Sequence, residues 1–361
     1  MATMAVRAAA VRAESRQGPG PAMLRFEDRS VLSRIVSRED KTPSPDGRGD
    51  RSQLAAGVKA SSVPSGVKRY QASAGPKGIA SFLVLAFGGA WTVWGIAWFF
   101  HVLNTGPGGQ IVVALGAFAP ALAALVVRKW VTREGFADAG LKPNLKRSWP
   151  YYLFGWLSPL LVVGVIMVLA VPFGIRPVRP LSAILVLTVT AGSLLAAPLF
   201  LGEEFGWRSY LQIRWRSHRP LQAAMLTGVV WGVFHYPLIL IGFEGYENAF
   251  LGLPVFTVSA ILLSIVLGWL RVTTGSVWAS CVAHSAVNGI GGSLTAYLFL
   301  GTGHFLAVSY LGLLGWVPLT LLCVGITIAR RVSASEGSKT STGQPEPRPV
   351  EFSHNWTVKE D

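Results

Sequence analysis

Residues 182–214 read SAILVLTVTAGSLLAAPLFLGEEFGWRSYLQIR. The stretch 182–202 has no charged residue. It is close to the roughly 20 apolar residues that a helix needs to cross hydrocarbon. It then meets Glu203 and Glu204, followed four residues later by Arg208. The two glutamates are half of the only four acidic residues between Gly140 and Val332. A carboxylate in or near hydrocarbon is costly unless it is paired or hydrated, so two adjacent ones require a reason.

Seven further apolar runs surround this one, at about 79–102, 109–127, 150–174, 221–242, 250–270, 276–298 and 305–329. The chain is 51% hydrophobic and 14% charged, where a soluble protein carries roughly a quarter charged residues. The expected fold is all-α: a polytopic membrane helix bundle of about eight transmembrane helices. Runs six and seven are separated only by Arg271 to Gly275, which predicts a tight helical hairpin. Residues 1–77 are polar, with fourteen Lys/Arg and seven Asp/Glu and no sustained apolar period. They read as a disordered N-terminal tail without the apolar core of a signal peptide. Residues 78–332 form the membrane domain, and 333–361 a second disordered tail. Cys281 and Cys323 suggest no disulfide framework or cysteine metal site.

The net charge of +14 is explained by topology and membrane contact rather than by nucleic acid, for which no partner role is expected. The loop after run two carries Arg128, Lys129, Arg133, Lys142, Lys146 and Arg147. The loop after run four carries Arg208, Arg214, Arg216 and Arg219, and Arg271 follows run six. On the other side only Arg176 and Arg179 appear. Both termini are expected in the cytoplasm. The Asn355-Trp-Thr sequon would then lie on the wrong side for glycosylation.

Three polar clusters fall in the apolar runs. Glu204 and Arg208 are four apart and can pair on one helix face, while Glu203 points about 100° away. His235 lies in run five, one turn after Trp231, and His284 and Asn288 lie four apart in run seven. Measured from the Arg-rich ends at about 1.5 Å per residue, Glu203, His235 and His284 sit roughly 16, 22 and 20 Å deep. These depths converge only if helix four continues past Glu204 to Ile213, with Pro198 free to kink it before that point.

One glutamate, two histidines and an asparagine at one depth suggest hydrolysis. Glu203 can take a proton from water while a neutral histidine positions that water. His284 and Asn288 can donate to a developing oxyanion. The set Glu203, His235 and His284 is also the one that would hold a metal, with zinc the fitting ion. The HExxH pattern of zinc proteases is absent.

The order EExxxR (203–208), aromatic-xxx-His (231–235) and HxxxN (284–288) resembles the CaaX protease and bacteriocin-processing (CPBP, or Abi) family, related to the CaaX prenyl endopeptidase. Trp231 stands where that family usually has Phe. The resemblance implies an intramembrane endopeptidase, often described as a metalloprotease, whose mechanism resembles that of a metal-independent glutamate protease. By that resemblance Glu203 activates the water, His235 orients it, His284 and Asn288 form the oxyanion site, and Glu204 and Arg208 support them. The implied partner is a membrane-associated or lipidated protein or peptide, cut near its C-terminus. The composition looks bacterial, with the protein in the cell membrane and its active site opening to the cytoplasm. Two other readings compete: a non-enzymatic immunity or scaffold protein, and a proton-coupled transporter using Glu203 and the histidines as a relay.

Overall fold

The computed structural model describes residues 75–341 apart from 105 and 217, with no side chains described for 104 and 330–341. Among the described residues the chain is all helical, with no strand. The expected disordered segment 1–74, residues 342–361 and the Asn355 sequon lie outside the described residues. Part of the expected C-terminal tail is helical, because the last helix runs to Ser341.

Five helices are long and apolar enough to cross a membrane: α1 (Pro76–Phe99), α2 (Pro107–Val131), α3 (Leu145–Phe173), α4 (Ala183–Arg214) and α7 (Ala249–Thr274). Between the last two lie α5 (Pro220–Phe234) and the short α6 (Tyr236–Leu240). The chain continues as α8 (277–299), α9 (Phe305–Val308) and α10 (Trp316–Ser341). The eight continuous spans expected from hydropathy are therefore not all present. Run five breaks at His235, since Pro237 has no N–H to continue the ladder. Run eight breaks between Val308 and Trp316, a stretch of turns holding Gly312 and Gly315.

The expected hairpin after α7 is present. Gly275 takes a left-handed conformation (φ +67°) as the C-cap, and Ser276 caps α8 by accepting from the Trp278 amide. Helix α4 does continue past Glu204. Pro198 turns it into a 3-10 segment (Ala197–Phe200), after which α-helix resumes at Leu201 and a π segment covers Trp207–Leu211. A second π segment, Val287–Gly292, contains Asn288. Such segments insert residues into a helix and re-aim side chains, frequently at functional sites.

The loop 132–144 is held against three helices by arginines. Arg128 donates to Asp138 Oδ1 (2.7 Å) and to the Gly135 carbonyl (2.8 Å), and also to the carbonyl of Ser209 in α4. Arg214, at the end of α4, reaches Glu134 (2.7 Å) and Asp138 Oδ2 (3.0 Å). From α7, Arg271 donates to the Asp138 carbonyl at 2.6 Å. Three buried guanidinium groups from three helices thus converge on one loop. Burial raises the Asp138 pKa, but the hydrogen bond from Arg128 and the charges of Arg214 and Arg128 outweigh it, holding the carboxyl below its ordinary value. Gly140 makes the approach possible: its φ is +70°, and a Cβ there would lie 2.6 Å from Arg271 Cζ.

Candidate active site

Glu203 and Glu204 lie in the α-helical turn of α4 just beyond the Pro198 segment, and both are buried. Their neighbours separate their roles. Glu204 is 0% exposed; its Oε1 accepts from Arg208 Nη1 at 3.1 Å and from His284 Nδ1 at 2.9 Å. Arg208 is sealed beneath Trp231, with its Cζ 4.6 Å from the indole ring centroid. The pairing expected from the four-residue spacing is therefore made. It has a second partner, His284, from 80 residues away.

Glu203 is 7% exposed and lines the main cavity. Its Oε2 accepts from two indoles, Trp231 Nε1 at 2.6 Å and Trp207 Nε1 at 3.2 Å. Two indole donors fix the orientation of the carboxylate at one oxygen. Trp207 stands to Glu203 as Arg208 stands to Glu204, four residues on, and that spacing was the signal that sequence reasoning left unused. Phe200, whose ring centroid is 4.6 Å from that of His284, was likewise not singled out.

His235 occupies the break between α5 and α6, half-buried, with Nδ1 2.9 Å from the Trp231 carbonyl oxygen. A carbonyl only accepts, so Nδ1 carries the hydrogen and the neutral ring keeps its lone pair on Nε2. The ring packs on Phe256 at 5.0 Å between centroids. His284 Nδ1 likewise faces an acceptor, Glu204, at 2.9 Å. Asn288, exposed on the π segment of α8, lines the same cavity.

Glu203, His235, His284 and Asn288 thus share the wall of one cavity of about 580 Å³, with Trp94, Phe200 and Trp231 among the apolar lining. Glu204 and Arg208 stand behind it. Among the described residues no three His, Cys, Asp or Glu side chains are grouped to hold an ion. The conditional set Glu203, His235 and His284 is in one cavity without forming such a group.

Residues 177–290, 114 of the chain's 361, match the family model described as Type II CAAX prenyl endopeptidase Rce1-like. All six candidate residues lie within the matched segment. The CaaX-protease resemblance carried by 203–208, 231–235 and 284–288 is therefore shown. That family is one of proteases, and together with the apolar helices it marks an integral membrane protein. No curated protein matches the chain.

Proposed function

We propose that the protein is an intramembrane endopeptidase that hydrolyses a peptide bond of a membrane-associated or lipidated chain, near its C-terminus, with Glu203 as general base. The observation that carries this reading is the shared cavity wall of Glu203, His235, His284 and Asn288. Glu203 is aimed by two indoles through Oε2, and Oε1 has no hydrogen bond within the described chain. A water between Oε1 and the Nε2 lone pair of His235 donates one hydrogen to each, which points its own lone pair at the substrate carbonyl.

In the reaction, Glu203 removes the water proton as the oxygen bonds to the carbonyl carbon. The carbonyl π electrons move to oxygen. Asn288 donates to that oxyanion through its amide N–H; His284 Nε2 adds a donor only when the ring is an imidazolium. The C–N bond then breaks, and the proton held by Glu203 passes to the leaving amine. Glu204 and Arg208 are positioning residues: they fix the His284 ring and sit under Trp231.

The test is cleavage of prenylated, acylated and unmodified fluorogenic peptides by purified protein in detergent, with Glu203→Gln and His235→Ala alongside. Cleavage of one class by wild type, lost in both variants, supports the reading; equal turnover in all three refutes it.

A further inference from the structure

His235 sits where the helical ladder of run five is interrupted: α5 ends at Phe234 and α6 begins at Tyr236. The His235 amide turns back to the Gly232 carbonyl at 3.1 Å. The first bond of α6 runs from the Ile239 amide to the His235 carbonyl, also at 3.1 Å. Pro237 brings no N–H to the break. The Phe234 carbonyl is thereby left without a donor from the ladder. In hydrocarbon no water takes that place, and an unpaired backbone carbonyl is costly.

The missing donor comes from α1. Trp91 gives its indole N–H to the Phe234 carbonyl at 2.9 Å, from 143 residues away. Phe87, one turn earlier, holds the pair together: its ring meets Trp91 edge-on at 5.2 Å between centroids and Phe234 at 5.6 Å. Trp94, from the same helix, is anchored to α2 by the Val113 carbonyl at 3.1 Å. It packs on Phe234 at 5.0 Å and stands beside the His235 ring at 6.4 Å. Trp94 is buried and lines the cavity, so its place is explained by packing and by the site. Trp91 is different. It is 39% exposed on the outer surface of α1, contributes nothing to the cavity wall, and lies outside the matched residues 177–290. What it does supply is one directed hydrogen bond to the backbone next to His235.

We propose that Trp91 is a positioning residue for His235: its indole N–H holds the Phe234 carbonyl and so fixes the backbone break that sets the direction of the His235 ring. From that backbone position His235 Nδ1 bonds to the Trp231 carbonyl at 2.9 Å, which selects the tautomer with its lone pair on Nε2. Without the indole N–H the Phe234 carbonyl has to find another donor. The nearest along the chain are the amides of Tyr236 and Leu238, so the adjustment falls on the His235 backbone itself. The ring then loses its single orientation, and with it the placement of the water shared with Glu203. This catalytic consequence rests on the peptidase reading; the orientation of the ring does not.

Two variants of the full chain remove the donor. Trp91→Phe keeps an aromatic ring against Phe87, and 3-benzothienylalanine at position 91 keeps the shape of the indole without its N–H, so that misfolding of one leaves the other readable. Nitrogen-15 labelling of histidine in nanodisc-embedded protein reads the ring directly, with the His235 signals identified by their loss in His235→Ala. Wild type should show a protonated Nδ1 and a bare Nε2, and both Trp91 variants a mixture of tautomers. Unchanged His235 signals in both variants overturn the proposal. Turnover of a lipid-anchored fluorogenic peptide gives the second reading. Loss of the donor should lower kcat by about 10–10²-fold, the scale of a small misplacement of a reacting group, with KM unchanged. The same change made in His235→Ala should lower kcat no further, because the ring it orients is gone. An equal loss in both backgrounds overturns the proposal, since a general structural defect would act whether or not His235 is present. A wild type without Glu203-dependent turnover refutes the peptidase reading, and the ring signals then decide the role of Trp91 by themselves.

Discussion

Trp231 donates its indole N–H to Glu203 Oε2 at 2.6 Å while its ring covers the Arg208 guanidinium. A Phe, the residue that related motifs usually carry here, could cover the arginine but could not donate. Trp231→Phe is therefore expected to keep the fold and lose a hydrogen bond to a charged group, costing about 1.5–3 kcal/mol. Thermal unfolding in detergent reads this directly. Trp231→Ala also opens a void over Arg208 and should cost about 3–5 kcal/mol.

The Glu204–Arg208 pair is fully buried at 3.1 Å. Breaking it from one side strands a charge, so Arg208→Ala should destabilise by about 3–5 kcal/mol. Glu204→Gln combined with Arg208→Met removes both charges and should be milder than Arg208→Ala alone. The double variant should still lose turnover, because His284 loses the carboxylate that fixes its ring. Unfolding midpoints and peptide turnover, measured on the same samples, separate the two effects.

Asp138 has its pKa lowered in the folded state despite burial, through Arg128 and Arg214. A depressed carboxyl contributes stability that is full above its unfolded pKa, about 4, and is lost as pH falls through the folded value. Wild type should lose stability steeply as pH drops below about 4. Asp138→Asn should be less stable at neutral pH and show a flatter acid limb. Unfolding midpoints across pH check both.

Gly140 has φ +70° and no room for a Cβ beside Arg271. Gly140→Ala should cost at least the roughly 1–2 kcal/mol of a left-handed non-glycine residue. The clash adds to that and loosens the Asp138 loop. Protease sensitivity of the loop 132–144, compared with wild type, measures it.

Much of this site was legible because helical spacing is a local rule. Four residues separate Glu204 from Arg208, and the pair forms. The apolar stretch beyond Glu204 implied that α4 continues, and it does, to Arg214. The same rule also applied to Glu203 and Trp207. The His284–Glu204 bond joins residues 80 apart, and no local spacing encodes it. The eight-span count is not confirmed, because hydropathy registers apolar residues but not chain direction. Pro237 and the Gly312–Gly315 turns break runs that remain apolar throughout.

The most direct measurement is the turnover of a lipid-anchored fluorogenic peptide by purified wild type and Glu203→Gln, each confirmed folded by its unfolding midpoint. General-base catalysis is worth about 10²–10⁴-fold, so Glu203→Gln should lose at least that much kcat while retaining peptide binding. Turnover of Glu203→Gln within about twofold of wild type, far inside that range, would contradict the role assigned to Glu203.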